Sequence, residues 1–160
     1  MNSVDQAIEA NRAYADRFDM ADAPSRPNKP LVVLTCIDAR LHPEAFLGLG
    51  VGDAHVVRNA GGRASDDALR SIVISAQILG TRECMVIHHT DCGMLTFTNE
   101  AAREMLGPAA TDVDFMPITD VEESTREDVA TIRANPLMPD DLAVSGWVYD
   151  VKTGRLSSVV

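Results

Sequence analysis

Two short apolar runs constrain the fold of this chain most, because each is followed at once by side chains that can bind metal or transfer protons. The runs are Leu31–Leu34 and Met85–Ile87, and both have the composition of strands that are buried on two faces. The first run leads into Cys36–Arg40 and the second into His88–Gly93. Reactive residues at the exits of two buried strands indicate a sheet that carries a site at one edge.

Predicted strands alternate with predicted helices, which indicates a mostly parallel sheet joined by helical crossovers. The predicted strands are Leu31–Cys36, Asp53–Val57, Glu83–His89, Ala143–Asp150 and a short edge strand, Leu156–Val159. The predicted helices are Val4–Phe18, Ser65–Leu79 and Asp120–Ala134, with a further helical stretch over 93–107. We therefore expect an α/β fold that has a central parallel sheet of about four strands, an added antiparallel edge strand and helices on both faces.

Cys36, His89 and Cys92 offer two sulfurs and one imidazole at the ends of two strands. Open α/β sheets bind ligands beyond the carboxyl ends of their strands, which is where these residues lie. Thiolate and imidazole suit zinc, and three protein ligands leave a fourth position for water, as in catalytic zinc sites. A lone His-x-x-Cys also occurs by chance, and a strand-end cysteine is often a small buried residue. The Cys-x-Asp-x-Arg segment on a neighbouring strand end favours the metal site.

Asp38 and Arg40 lie two residues apart, beside the first of these cysteines. An arginine can hold a carboxylate through two hydrogen bonds, which keeps the carboxylate ionised and oriented. Next to zinc-bound hydroxide, such an aspartate would accept a hydrogen bond and direct the oxygen at the substrate. The alternative is a weak ion pair in a surface turn, which we would favour without the metal ligands. The two features together predict a metal site with a catalytic Asp–Arg pair.

Charge and composition argue against several classes of partner. Lys and Arg number 14 against 24 Asp and Glu, and the net charge of −10 disfavours nucleic acid and anionic membranes. No apolar run approaches the roughly 18 residues of a membrane span, and no signal peptide is visible, so we expect a cytoplasmic protein. Of the 3 cysteines, two occupy predicted ligand positions, which favours metal binding over a disulfide framework.

The first 30 residues differ from the rest of the chain, because a predicted helix is followed by a connector with three prolines. The connector, residues 22–30, cannot continue a helix or form a central strand. Its helix is therefore free to leave the domain body and pack on a neighbouring subunit. The 160 residues can build one core, so we expect a single zinc-binding α/β domain over 1–160 with 1–30 packing on a partner.

Three motifs that occur in this order resemble those of the β-class carbonic anhydrases. They are Cys-Ile-Asp-Ala-Arg at 36–40, Arg-Asn-Ala-Gly at 58–61 and His-Thr-Asp-Cys-Gly at 89–93. The segments 146–150 and 154–156 resemble the closing strand hairpin of the same family. The central match spans residues 31 to 95, and the three motifs together are highly specific.

This resemblance implies a function, a cofactor and an assembly. The function is reversible hydration of carbon dioxide to bicarbonate by zinc-bound hydroxide, which the Asp38–Arg40 pair orients. The cofactor is Zn²⁺, held by Cys36, His89 and Cys92. The assembly is a homodimer or a dimer of dimers, with the site near the subunit interface. The partners expected from the resemblance are therefore carbon dioxide, bicarbonate and a second copy of the chain.

Two other functions fit the same residues. The first is hydrolysis of carbon disulfide or carbonyl sulfide, which the same kind of site supports in related proteins. Access to the site would decide between these substrates, and access depends on loops. The second is a non-catalytic zinc protein that senses bicarbonate or supports assembly. The Asp38–Arg40 pair argues against the second function, since such a role needs no catalytic pair.

Several further side chains have structural interpretations that compete with functional ones. His42 could relay protons, but an exposed histidine at a helix start is commoner. Strand alternation points His88 to the face opposite the predicted ligand, which favours a packed histidine. His55 and Cys84 are interpreted as structural residues. Asp91 could orient a metal ligand or cap the helix that follows.

Overall fold

The computed structural model describes residues 1–160, and its centre is a five-stranded sheet. The strands are β1 (Leu31–Cys36), β2 (His55–Asn59), β3 (Glu83–His89), β4 (Ala143–Tyr149) and β5 (Leu156–Ser158). They lie in the order β2-β1-β3-β4-β5, with β5 antiparallel to β4 and all other pairs parallel. The predicted α/β class, with a mostly parallel sheet and an antiparallel edge strand, is confirmed.

Five α-helices precede or connect these strands, and polar caps define where several of them begin. The helices are α1 (Ser3–Ala15), α2 (Pro43–Phe46), α3 (Asp66–Val73), α4 (Asn99–Leu106) and α5 (Val121–Ala134). Ser65, Thr98 and Asp120 each accept a hydrogen bond from a backbone N–H in the first turn of the following helix. Each cap satisfies a donor that has no intrahelical partner, so these helices begin at fixed residues.

The main apolar core lies between the sheet and helices α3 and α5. Val32, Leu34 and Val86 of the sheet belong to the same fully buried cluster as Ile72 of α3 and Ile132 of α5. Burying one such aliphatic side chain contributes about 1.5–3 kcal/mol to stability. Because one cluster contains side chains from both helices, α3 and α5 pack on the same face of the sheet.

The opposite face of the sheet is more open along β3 and β4. Met85, Ser145 and Trp147 are half-buried there and line a groove of about 300 Å³. Met85 and Ser145 are paired in register, and the indole N–H of Trp147 donates to the Ser145 hydroxyl at 2.9 Å. A thioether and an indole therefore present accessible apolar area on this face.

The helix predicted over Ser65–Leu79 changes type before its end. The α-helical part stops early, and Ile74–Ile78 forms a π-helical turn. In this turn Ser75 points inward, where its hydroxyl hydrogen-bonds His55 Nδ1 at 2.7 Å and Thr81 Oγ1 at 2.9 Å. These bonds satisfy three polar side chains within the fold, as expected for a structural histidine at position 55.

The second strand is displaced from its predicted position. It was expected over Asp53–Val57 and lies over His55–Asn59. Asp53 instead belongs to the preceding turn, where its carboxylate accepts hydrogen bonds from Lys29 Nζ at 2.8 Å and from Gly50 N–H at 3.0 Å. The lysine holds the pKa of Asp53 below its usual value. A polar turn therefore replaces the first two residues of the predicted strand.

Residues 93–118 form a long connecting segment between β3 and α5, and a backbone hydrogen bond links its two ends. The backbone N–H of Ile118 donates to the carbonyl of Met94 at 2.9 Å. The helix predicted here is divided, because a 3₁₀ turn at Gly93–Leu95 precedes α4 and a second one, Pro108–Ala110, follows it. Met94 and Ile118 are both buried, so this connecting segment begins and ends in the core.

The N-terminal helix α1 is well formed but does not pack into the core of its own chain. Asn2 and Asp5 build a capping box at its start, and none of its residues is buried. Apolar side chains of α1 and the residues after it remain exposed, among them Ile8, Tyr14 and Phe18. None of the helices combines the length and the apolar composition needed to cross a lipid bilayer.

Candidate metal site

The three predicted metal ligands lie together at the carboxyl ends of two paired strands. Cys36 is the last residue of β1, His89 is the last of β3, and Cys92 follows three residues later. Parallel pairing of β1 with β3 brings these ends together, and the three ligand atoms lie within 4.8 Å of one another. All three residues are buried. The structure therefore brings together every residue of the predicted ligand set.

His89 presents one ring nitrogen to this cluster without a hydrogen-bond partner. Its Nδ1 lies 2.9 Å from the Thr90 carbonyl oxygen, which can only accept, so Nδ1 carries the proton. In the neutral ring Nε2 then holds a lone pair, and this nitrogen is buried and unpartnered. A buried polar atom without a partner costs about 1–3 kcal/mol. A cation between Nε2 and the two sulfurs would remove that cost, so the imidazole fits a metal ion.

The two sulfurs of the cluster lie close enough to shift each other's pKa in opposite directions. Their mutual hydrogen bond lowers the pKa of Cys36 to about 4 and raises the pKa of Cys92, because one sulfur accepts while the other keeps the proton. The backbone N–H of Gly61 also donates to the Cys36 sulfur, at 3.3 Å, which favours the thiolate further. Thiolate is the form that binds metal, and a divalent cation can displace the remaining thiol proton. Two sulfurs and one imidazole together suit zinc.

Asp38 and Arg40 form a closely bonded ion pair at the edge of the cluster. Arg40 Nε and Nη2 donate to the two carboxylate oxygens of Asp38 at 2.9 and 2.7 Å, and the Arg40 backbone N–H adds a bond of 2.9 Å. The guanidinium holds the pKa of Asp38 well below its usual range, so the carboxylate is ionised near neutral pH. Asp38 Oδ2 lies 3.8 Å from His89 Nε2, within reach of the ligand cluster.

Arg40 also contacts Asp91, a pairing that the sequence did not reveal. Nη1 donates to the Asp91 carboxylate at 2.7 Å, and Nη2 donates to the Asp91 carbonyl at 2.8 Å. Asp91 has φ 55°, a left-handed conformation that is uncommon outside glycine, and the 3₁₀ turn after it has no side-chain cap. The Asp91 carboxylate thus pairs with Arg40, which lies between Asp38 and Asp91. No local signal connects positions 40 and 91, since only the strand pairing brings them together.

Arg58 holds the backbone that carries these residues. Its Nε donates to the Cys36 carbonyl at 2.9 Å, and its Nη2 donates to the Asp38 carbonyl at 2.8 Å. The chain leaves the sheet at this point, so these carbonyls lose their ladder partners and need other donors. Arg58 supplies them and keeps the Cys-x-Asp-x-Arg segment in one conformation.

Gly61 and Gly62 form a turn that packs tightly on the end of β1. Their φ values are 83° and 69°, which side chains rarely adopt. A Cβ on Gly62 would lie 2.9 Å from the carbonyl carbon of Thr35, and one on Gly61 would lie 3.1 Å from Met94 Cγ. Glycine is therefore required at both positions for the turn to reach the ligand cluster.

The other candidate residues lie outside the cluster. His42 is exposed, and its Nε2 is 4.0 Å from a Glu44 carboxylate oxygen. His88 is fully buried on the opposite face, as strand alternation predicts, where it contacts the Ser124 hydroxyl at 3.0 Å. Cys84 is also buried in the core, and burial raises the pKa of its thiol to about 12. None of the three is part of the ligand set.

A small pocket opens beside the ligand cluster, with a volume of about 200 Å³. It is lined by Cys36, Ile37, Asp38, Ala60, Gly61, Cys92, Gly93 and Met94. Apart from the aspartate and the two thiols, this lining is apolar, which suits a small uncharged molecule. A larger cavity of about 420 Å³ lies at the end of α5 and contains none of the candidate residues. The chemistry of the lining, rather than size, therefore marks the site.

Known proteins resemble this chain over nearly its whole length. A sequence model of the carbonic anhydrase family matches residues 31–114. The β-carbonic anhydrase 1 of Mycobacterium tuberculosis is 39% identical, with 99% of each chain covered. The carbon disulfide hydrolase of Acidianus sp. is 36% identical over 81% of this chain and 76% of the other. The crystal structure of carbonic anhydrase from Streptococcus mutans gives a TM-score of 0.95 at 50% identity, covering 100% of this chain and 99% of that one.

Proposed function

The chain belongs to the β-carbonic anhydrase family of enzymes, and on this basis we propose that it hydrates carbon dioxide reversibly to bicarbonate. The reaction joins carbon dioxide and water and releases bicarbonate and a proton. We propose zinc as the cofactor, held by Cys36, His89 and Cys92. The observation that carries the proposal is the buried, unpartnered Nε2 of His89, which faces two sulfurs beside the ionised Asp38.

Asp38 is proposed to orient the attacking oxygen. Zinc held by the three ligands would lower the pKa of a water molecule to about 7 and so supply a nucleophile near neutral pH. The ionised carboxylate of Asp38 accepts a hydrogen bond from that nucleophile and directs its lone pair at the substrate. Arg40 keeps the carboxylate in this orientation, because its two side-chain bonds fix both oxygens.

The pocket is proposed to hold carbon dioxide against its apolar wall. Ile37, Ala60 and Met94 supply that wall, and a linear, uncharged substrate needs no charged partner there. The product is an anion, and the negative charge of Asp38 repels it. The same carboxylate therefore serves the attack on carbon dioxide and the departure of bicarbonate.

Hydrolysis of carbon disulfide is a second candidate, because a carbon disulfide hydrolase is 36% identical to this chain. Carbon disulfide is also linear and uncharged, so the same wall would accept it. Parallel assays on one zinc-loaded sample distinguish the two substrates, with a pH indicator for carbon dioxide hydration and detection of hydrogen sulfide for the hydrolysis. We expect fast hydration and little hydrogen sulfide. Release of hydrogen sulfide without hydration of carbon dioxide would assign the second function instead.

We infer that the protein is a homodimer, or a dimer of dimers, in which residues 1–30 of one chain pack on its partner. No residue of α1 is buried, and Ile8 and Tyr14 on the helix and Phe18 just after it remain exposed. The open face of β3 and β4 offers a complementary apolar groove of about 300 Å³. A second copy would cover both surfaces at once, and the remaining residues then form one zinc-binding domain.

Light scattering tests this assembly directly. We expect at least twice the 17.3 kDa of one chain at micromolar concentration. Ile8→Asp places a charge on the exposed face of α1, so it should shift the protein toward the monomer. Val51→Asp is the matched control, since Val51 is an equally exposed apolar residue outside α1 and should leave the mass unchanged. A wild-type mass of one chain would refute the inference.

A further inference from the structure

Behind the candidate metal site lies a buried charged cluster that the proposed reaction does not use. It consists of Arg63, His88 and Asp128, whose side chains are 9%, 1% and 3% exposed. Arg63 Nε donates to Asp128 Oδ2 at 2.8 Å, and His88 Nε2 lies 3.0 Å from the same oxygen. A buried ion pair is often no more stabilising than apolar residues of similar volume. Stability alone therefore does not explain why this cluster is buried.

His88 links this cluster to the glycine turn beside the metal ligands. Besides Asp128, its Nε2 faces the carbonyl oxygen of Gly62 at 3.2 Å. Both neighbours can only accept, so Nε2 carries a proton and donates to them. On the other side of the ring, Nδ1 contacts the hydroxyl of Ser124 on α5 at 3.0 Å. The imidazole is thus fixed at both nitrogens, between α5 and Gly62.

Arg63 fixes the same turn from its other end. Its backbone N–H, directly after Gly62, donates to Asn59 Oδ1 at 2.8 Å. Its guanidinium Nη1 donates to the carbonyls of Met116 and Pro117 at 3.2 and 3.3 Å. The bond from its Nε to the carboxylate on α5 completes this arrangement. One buried carboxylate therefore holds the two side chains that flank and contact the glycine turn.

The turn itself contacts a candidate zinc ligand. Gly61 donates its backbone N–H to the Cys36 sulfur at 3.3 Å. Such a bond draws electron density from a thiolate and changes how strongly the sulfur binds a metal. Two consecutive glycines are flexible, so the direction of this N–H depends on what holds the neighbouring carbonyl of Gly62. In this structure His88 holds the Gly62 carbonyl through a hydrogen bond.

We propose that Asp128 is a positioning residue for the metal site. Through His88 and Arg63 it holds the glycine turn at 61–62 so that the turn donates its N–H to Cys36. The inference rests on the proposed function, because it requires Cys36 to be a zinc ligand. Asp128 contacts neither the pocket nor the ligand atoms, so its effect reaches the metal only through the bond to the sulfur.

Cobalt(II) in place of zinc provides the test, since its sulfur-to-metal charge-transfer band reports on the cysteine ligands. In Asp128→Ala we expect the band to shift and the zinc affinity, measured against a chelator, to fall about tenfold or more. Asp128→Asn keeps an oxygen toward both donors but removes the charge, so it should change both quantities less, in the same direction. Glu127→Gln removes the charge of an exposed partner of the same guanidinium, 3.3 Å away, and should change neither.

A purely structural role for Asp128 would lower the midpoint of thermal unfolding and leave the band and the affinity unchanged. The cobalt band and the zinc affinity are therefore measured at a temperature well below the unfolding midpoint. Wild-type values in Asp128→Ala, or in Asp128→Asn if the alanine variant does not fold, would overturn the proposal. A wild-type protein that shows no sulfur-to-cobalt band would refute the zinc site itself, which separates failure of the proposed function from failure of this inference.

Discussion

Replacing Cys92 by alanine is expected to leave the purified protein with little or no zinc and to reduce carbon dioxide hydration to background. The substitution leaves one sulfur and one imidazole, whereas catalytic zinc sites in proteins have three protein ligands. The remaining thiol also loses the neighbouring sulfur that lowers its pKa. Elemental analysis gives the zinc content, and a stopped-flow assay with a pH indicator gives the turnover.

Cys84→Ala is the control for that experiment. Cys84 is as buried as the candidate ligands but lies in the main core, outside the cluster. Its loss leaves a small cavity, which lowers the free energy of unfolding, yet the zinc content should stay at one ion per chain. A Cys92→Ala variant that binds zinc with wild-type affinity would contradict the ligand assignment.

Asp38→Asn and Arg40→Ala are expected to keep zinc but to lose turnover by about a hundredfold or more, the usual contribution of a positioned acid–base group. The asparagine keeps the shape of the side chain but lacks the negative charge with which Asp38 accepts a hydrogen bond from the nucleophile and directs it. The alanine variant leaves the carboxylate without its two side-chain bonds, so the carboxylate can rotate. Zinc content and kcat are measured on the same samples.

Asp53→Asn is the matched control for the pair. Asp53 also accepts a hydrogen bond from a cationic side chain, Lys29 at 2.8 Å, but it belongs to the turn before β2. The control should therefore keep both zinc and turnover. Wild-type kcat in Asp38→Asn and Arg40→Ala would show that the pair has only a structural role.

The fold was predictable from the sequence where burial and turn chemistry act locally. The apolar run of β1 and the Asn135-Pro136 stop after α5 are both local signals, and both elements lie where they were predicted. The start of β2 was predicted too early, because Asp53 makes a turn whose partner Lys29 is distant in sequence. The change from α-helix to π turn at Ile74 was not predicted, since it accompanies buried bonds from Ser75 to His55 and Thr81.

The candidate ligand set was predictable because parallel strands end at one edge of their sheet. Cys36 and His89 end two such strands, so their proximity follows once the two strands are paired. The contact of Arg40 with Asp91 was not predictable, since it depends on a left-handed residue in a loop. The contacts of Asp128 with Arg63 and His88 were not predictable either, since Asp128 lies on α5, far along the chain from both.

We propose that zinc at the Cys36–His89–Cys92 site makes this chain an active carbonic anhydrase. The rate of carbon dioxide hydration, measured across samples of known zinc content, tests this claim. We expect turnover to rise in proportion to zinc up to one ion per chain, to vanish after removal by a chelator, and to return when zinc is restored. A fully zinc-loaded protein that hydrates carbon dioxide no faster than buffer, or a zinc-free protein with full turnover, would contradict the claim.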